Sequence, residues 1–256
     1  MRVEWAPVTR YFVLLGTVYL LILGATAPAA LLGSAFFARS GITLQHLTGT
    51  LWYGAADEAR IATDVGVVQL RDFKWRFQWR YLLRAEIALK LETTRAAGSL
   101  TLARGFGGLR LAHADFILPA TELTQVLPQL SLWQPSGEVR FQTQGFTLAL
   151  PTPGGAHSEA QVIWRNAGLN LAPQPPLGDY RLHLRNSDDK IKLRLETQAG
   201  KLQLAGTGEY FKPGSLNFSG SAHADAAHRA ELQAFLAMLG KDRGDGVHIF
   251  SLHLPY

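Results

Sequence analysis

The side chains that could do chemistry are few and scattered. Of the eight histidines, the tightest grouping of ligand types is His223, Asp225 and His228. Two imidazoles and a carboxylate are a zinc-type donor set, but the helical HExxH spacing is missing and no fourth ligand stands nearby. A surface loop ahead of a helix is the plainer reading. His113, Asp115 and Glu122 are acid–base types that only distant folding would bring together. The run Gly105-Phe106-Gly107-Gly108 lacks the third glycine of a dinucleotide loop and falls between strands instead of before a helix. No GxSxG and no phosphate-binding P-loop occurs, and with no cysteine there is no thiol nucleophile, disulfide or thiolate metal site. The expectation is a protein without catalysis, metal or cofactor.

The pattern that does stand out is physical. In Phe73–Tyr81 the aromatics Phe73, Trp75, Phe77, Trp79 and Tyr81 alternate with Lys74, Arg76, Gln78 and Arg80. On an extended strand every ring falls on one face and every cation on the other. The rings are expected to be core, and Trp79→Ala is expected to cost about 3–5 kcal/mol, as a buried large-to-small change does. The competing reading makes Trp75, Arg76, Trp79, Arg80 and Tyr81 a face that meets the membrane or a partner. Between Leu70 and Arg110 there are nine Lys/Arg against three Asp/Glu, a local excess of six in a chain of net charge +5. That patch suits anionic headgroups or acidic surfaces.

The elements that must hold these residues are mostly strands. Alternating runs recur from Leu83 to Leu91 and through residues 109–116, 139–143, 180–185, 191–196, 201–206, 216–220 and 247–254, separated by Gly, Pro and Asn/Asp turns. One wet face and one apolar face indicate antiparallel sheet. Two segments have helical spacing: residues 119–130, through Leu123, Val126, Leu127 and Leu130, and residues 228–240, through Leu232, Phe235, Leu236 and Leu239, with Gly240 as C-terminal cap. Residues 89–103 resemble residues 193–205, and Leu123 corresponds to Leu232, so copies over 66–150 and 160–256 are expected. The fold class is therefore mainly β: a long, curled antiparallel sheet, two-fold repeated, with two short amphipathic helices.

At the N-terminus, the 28 residues Tyr11–Ala38 carry no charge. About 20 apolar residues cross a bilayer, which points to a transmembrane helix over 11–33, a cytoplasmic N-terminus over 1–10 and a β domain outside the cytoplasm over 40–256. Arg2 and Arg10 before the run favour that orientation. Ala25-Thr26-Ala27 also fits a signal-peptide cleavage pattern. Cleavage would leave Pro28 first, and the apolar run continues to Phe37, so the uncleaved anchor is preferred. Residues beyond 40 then lie outside the cytoplasm, which argues against nucleic acid as a partner.

The chain resembles the type II secretion system protein N family along essentially its whole length. The features that carry this are an N-terminal anchor followed by GTLWYG, with Gly49, Trp52 and Gly54, then Trp75 or Trp79 ahead of Leu82-Leu83. FILPATEL (116–123), a strand opened by Gly137, VIWRNAGL (162–169), LGDYRL (177–182) and TQAGKLQLAGTGEY (197–210) follow in order, with a strand expected at GTLW (49–52). The resemblance implies a non-catalytic accessory protein of the inner membrane, working beside the platform proteins of that machine in export of folded proteins. The alternative is a periplasmic sheet whose apolar groove binds a lipid acyl chain, since GTLW-type openings also occur in periplasmic lipid-shuttling sheets.

Overall fold

Alternation builds one sheet. The structure, a computed structural model, describes residues 6–31, 42–63, 66–94, 96–105, 108–126, 128–147, 158–172, 174–187, 190–211 and 214–254. After helix α1 (Ala6–Ala25) come β1 (Ile42–Gln45), β2 (Thr48–Gly49), β3 (Tyr53–Thr63), β4 (Gly66–Phe77), β5 (Ile87–Thr93), β6 (Ala96–Gly105) and β7 (Gly108–Pro119). A short helical segment containing α2 (Leu123–Val126) leads to β8 (Ser136–Thr143) and β9 (Phe146–Thr147). Then follow β10 (Ser158–Gly168), β11 (Gly178–Ser187), β12 (Lys190–Gly200), β13 (Leu202–Phe211) and β14 (Ser215–Ala224). Helix α3 (Arg229–Leu239), β15 (Lys241–Asp242) and β16 (His248–Leu254) end the described chain. These 16 strands form a single antiparallel sheet, open at β1 and at β15.

Its two faces follow from the register. Phe116, Phe141, Val162, Leu182 and Leu195 stand directly opposite one another across β7, β8, β10, β11 and β12. Facing pairs share a side of the sheet, so this row is apolar from strand to strand. One residue along, on the other face, runs Asp115, Gln142, Gln161, His183, Arg194 and Thr207. The apolar row continues into Gly206 and Gly220. There the Phe218 ring lies where a Cβ at Gly206 would come within 2.7 Å of it, and the Phe250 ring does the same at Gly220. The glycines let aromatic rings of neighbouring strands lie flat on the sheet.

The core is thin. Among the described residues, half of the buried apolar ones are alanines, and buried clusters form separately along the sheet. The largest places Leu232, Phe235 and Leu236 of α3 on Leu202, Ala222 and Ala224, with Trp133 and Leu169 reaching it from the β8 and β10 ends. Tyr180 lies close by, and its phenol donates to the Leu202 carbonyl at 3.0 Å; burial pushes that phenol's pKa well above its ordinary value.

Local expectations meet tertiary corrections here. Helix 228–240 forms as α3, but Gly240 is extended (φ −178°), not left-handed. Its missing side chain serves packing: a Cβ would overlap the Ile249 carbonyl. Helix 119–130 does not form as one element. It breaks into a 3-10 turn at Ala120–Glu122, four residues of α2 and a second 3-10 turn at Pro128–Leu132. Pro128 has no N–H for an unbroken helix, and Leu127 lies outside the described residues. The strand order β5, β6, β7, helical segment, β8 recurs as β12, β13, β14, α3, β16, the last strand pairing the third in each.

The N-terminal helix ends at Ala25, eight residues before the expected boundary, because Pro28 pairs with Thr50 in a β-bridge. Among the described residues no helix is long and apolar enough to cross a membrane. Arg10 leaves a charge-free helical run over Tyr11–Ala25, which at 1.5 Å per residue is about 22 Å long against a hydrocarbon core of about 30 Å.

Leu232→Ala is expected to lower stability by about 2–5 kcal/mol, because its side chain is fully buried under α3. Met238→Ala, on the exposed side of the same helix, is expected to change it by less than about 0.5 kcal/mol. Urea unfolding of both variants checks the contrast.

Candidate functional site

The residues singled out from the sequence meet where α1 joins the sheet. Gly49 and Gly54 face each other across the β2–β3 hairpin. GTLW is the turn of that hairpin, not a strand: β2 ends at Gly49 and β3 begins at Tyr53. Gly49 takes φ +89°, which disfavours any side chain. A Cβ at Gly54 would overlap the Thr48 carbonyl and the ring of Trp75. The hairpin is thus cut to fit under an indole.

Trp75 is 4% exposed and packs with Ala56 and Ala29, flanked by Leu47, Leu51, Phe73, Leu89 and Leu91. Ala29 belongs to the chain leaving α1. That chain is stitched to the hairpin by Ala29 N–H to the Gly49 carbonyl (3.1 Å) and Leu51 N–H to the Ala27 carbonyl (2.8 Å). The Trp52 indole N–H donates to the Gly24 carbonyl at 2.7 Å, a last-turn acceptor that Ala27 N–H reaches only at 3.4 Å. The last turn of α1 is therefore capped by the sheet.

The expected nine-residue aromatic strand stops early. β4 ends at Phe77, and residues Trp79–Arg84 form a 3-10 helix closed by Ala85 in the left-handed region (φ 54°). Phe73, Trp75 and Phe77 keep the common face; Trp79 and Tyr81 leave it. Tyr81 turns inward, 9% exposed, onto Ala88 and Ala103. Trp79 turns outward, 56% exposed, which overturns the expectation of a buried ring. Its ring lies 4.5 Å from that of Trp52 and 4.7 Å from that of Phe77. Leu82 and Leu83 are also exposed, Leu83 at 92%. Their adjacency was the signal in the sequence: two neighbouring leucines cannot continue a period-two pattern.

The turn is braced from behind. Glu86 N–H donates to the Tyr81 carbonyl (3.1 Å), and the Glu86 carboxylate accepts both arms of Arg110 from β7, at 2.9 and 2.6 Å. That bidentate bond holds the Glu86 carboxyl below its ordinary range. Arg76 lies on the opposite, exposed face, facing Tyr53 and Lys90, with Lys74 two residues before it. Glu92 is the carboxylate among these cations; the hydrogen bond from Lys90, 2.6 Å away, and then the charges of Lys90, Arg76 and Lys74 lower its pKa.

Elsewhere the acid–base candidates stay apart. Asp115 is bound by both arms of Arg140 (2.9 and 2.8 Å), while Glu122 accepts from Gln125 (2.8 Å). Asp225 pairs with His228 at 2.7 Å just ahead of α3, while His223 is an exposed residue of β14. Among the described residues no group of three ligands could hold a metal ion. A trough of ≈ 1260 Å³ runs along the polar face, past Asp115, Gln161, His183, Arg194 and Glu209. Leu184, Leu193, Phe218 and Leu252 belong to the same lining, which mixes polar and apolar groups.

A family model for the type II secretion system protein N matches residues 40–250. The chain belongs to the type II secretion system protein N family. Searches of curated proteins and of solved structures give no match. The match to the protein N family takes in the sheet from β1 through the β2–β3 hairpin and the Trp79–Arg84 turn into β16, while α1 precedes it. Gly49, Trp52 and Gly54, read as family-like in the sequence, serve here to seat Trp75 and to hold the end of α1.

Trp75→Ala is expected to lower stability by about 3–5 kcal/mol. Trp79→Ala is expected to cost about 1 kcal/mol, the value of ring contacts made at the surface; chemical denaturation separates the two. For Glu86, a folded pKa below 4.5 means that its contribution is complete above the unfolded value and is lost as pH falls through the folded one. Arg110→Gln should therefore flatten the acid-side decline in unfolding midpoint below about pH 4.5 while leaving a smaller, pH-independent loss.

Proposed function

We propose that this chain is a non-catalytic accessory component of a type II secretion machine. In this reading α1 holds it at the inner membrane, its N-terminus is cytoplasmic and its sheet is periplasmic. It acts as a scaffold or regulator beside the inner-membrane platform proteins during export of folded proteins. The family match over residues 40–250 carries the assignment to secretion. Attachment through α1 is supported by its side chains: Tyr11, Phe12, Leu15, Leu20, Leu21 and Ile22 are all more than half exposed. A helix apolar on every side belongs in an apolar phase. Its charge-free run is shorter than a bilayer core, which local thinning accommodates. The preceding Arg2 and Arg10 favour a cytoplasmic N-terminus.

Scaffolding is supported by the sheet's open ends. Among the described residues, β16 is paired beyond β14 only at His248 and Ile249, which leaves residues 250–254 with no described strand on that edge. An unpaired edge accepts a strand from a partner.

Cells lacking the chain should retain type II substrates in the periplasm, and the intact chain should restore their release. The chain should sediment with membranes and resist alkaline extraction, whereas Leu15→Arg with Leu21→Arg should be extracted. Unimpaired secretion without the chain would remove the secretion role, and a wild-type chain in the soluble fraction would remove the anchor.

A further inference from the structure

We infer that the 3-10 turn Trp79–Arg84 is a second membrane contact, lying in the headgroup layer of an anionic bilayer beside the end of α1. The inference rests on α1 being held in the membrane.

Three observations carry it. First, Trp79, Leu82 and Leu83 are exposed together on one short turn, Leu83 almost completely. In a 3-10 helix residues three apart eclipse, so Trp79 and Leu82 stack on one side and Leu83 adjoins them. The inward side is taken by Tyr81, and Gln78 N–H to the Ala88 carbonyl (2.9 Å) and Ala85 N–H to the Leu82 carbonyl (2.9 Å) fix both ends. The apolar residues are thus presented outward by a braced turn.

Second, this patch is continuous with α1. The Trp52 ring touches Trp79 on one side, and its N–H holds Gly24 at the helix end on the other. A bilayer that receives the exposed side chains of α1 reaches its interface at the same indole pair. Trp and Tyr prefer that depth, and Tyr53, 66% exposed, adjoins Trp52 in sequence.

Third, the turn carries its own cations. Arg80 and Arg84 are exposed, and among the described residues neither forms an ion pair; Arg80 lies over the Tyr81 ring at 5.3 Å. Apolar side chains flanked by exposed guanidinium groups match a surface with anionic headgroups above hydrocarbon. A protein partner would not need its patch to be contiguous with the membrane helix.

The chain has no cysteine, so single probes can be placed at will. Leu15→Cys, Leu83→Cys and Ser219→Cys, all at exposed positions, would each carry a nitroxide in the full-length protein. The protein would be reconstituted in vesicles of phosphatidylethanolamine and phosphatidylglycerol. Relaxation by oxygen against relaxation by a water-soluble nickel chelate reads depth. The expected result is a ratio at Leu83 several-fold above that at Ser219 on β14 and below that at Leu15. Arg80→Gln with Arg84→Gln should move the Leu83 probe toward water. A Leu83 ratio equal to that of Ser219, with Leu15 in hydrocarbon, overturns the inference and leaves the anchor standing. Water-like ratios at both Leu15 and Leu83 overturn the anchor and the inference together.

Discussion

An open sheet this wide has one apolar face, and the helices near it are too short to cover it. Everything else in the fold answers that constraint. Helix α3 covers only the ends of β13, β14 and β16, where its leucines meet Leu202 and Ala222. The helical segment after β7 is broken by Pro128 and covers less. The sheet compensates by laying its own rings flat, Phe218 over Gly206 and Phe250 over Gly220, and by stacking Phe116 on Phe141 at 5.4 Å. Small residues dominate what is fully buried. The apolar surface is thinned and partly sheltered, not enclosed.

The wet face does different work. Asp115–Arg140, Glu159–Arg185 and Lys190–Glu209 link neighbouring strands. Exposed pairs of this kind stabilise little individually. Their value is in register: a one-residue slip would put every arginine on the apolar side and every leucine in water. Asp115, held by both arms of Arg140, is one strut of this ladder.

At the N-terminal end the same logic meets a helix. Trp75 needs a roof without side chains, which Gly54 supplies, and a wall, which Ala29 supplies from the far end of α1. The helix is tied to the fold through one alanine, two backbone bonds and one indole N–H. Any force on α1 is therefore passed directly to the β2–β3 hairpin. The exposed aromatic turn beside it belongs to the same junction.

The sequence by itself determined the strand-rich class, the two faces of the strands with clear alternation (β4, β5, β7, β8, β11 to β14 and β16), helix α3 to within a residue at each end, and the family. These follow from periods of two and 3.6, which local chain geometry imposes wherever a segment has one buried side. Only the tertiary structure decided where the aromatic strand stopped, that GTLW turns instead of extending, and that Trp79 faces out while Tyr81 faces in. Those outcomes depend on Gln78 pairing with Ala88, on Glu86 held by Arg110, and on Trp52 reaching back to Gly24. Each joins residues ten or more apart in the chain, or braces a turn against such a contact, and local pattern carries no information about distance through space.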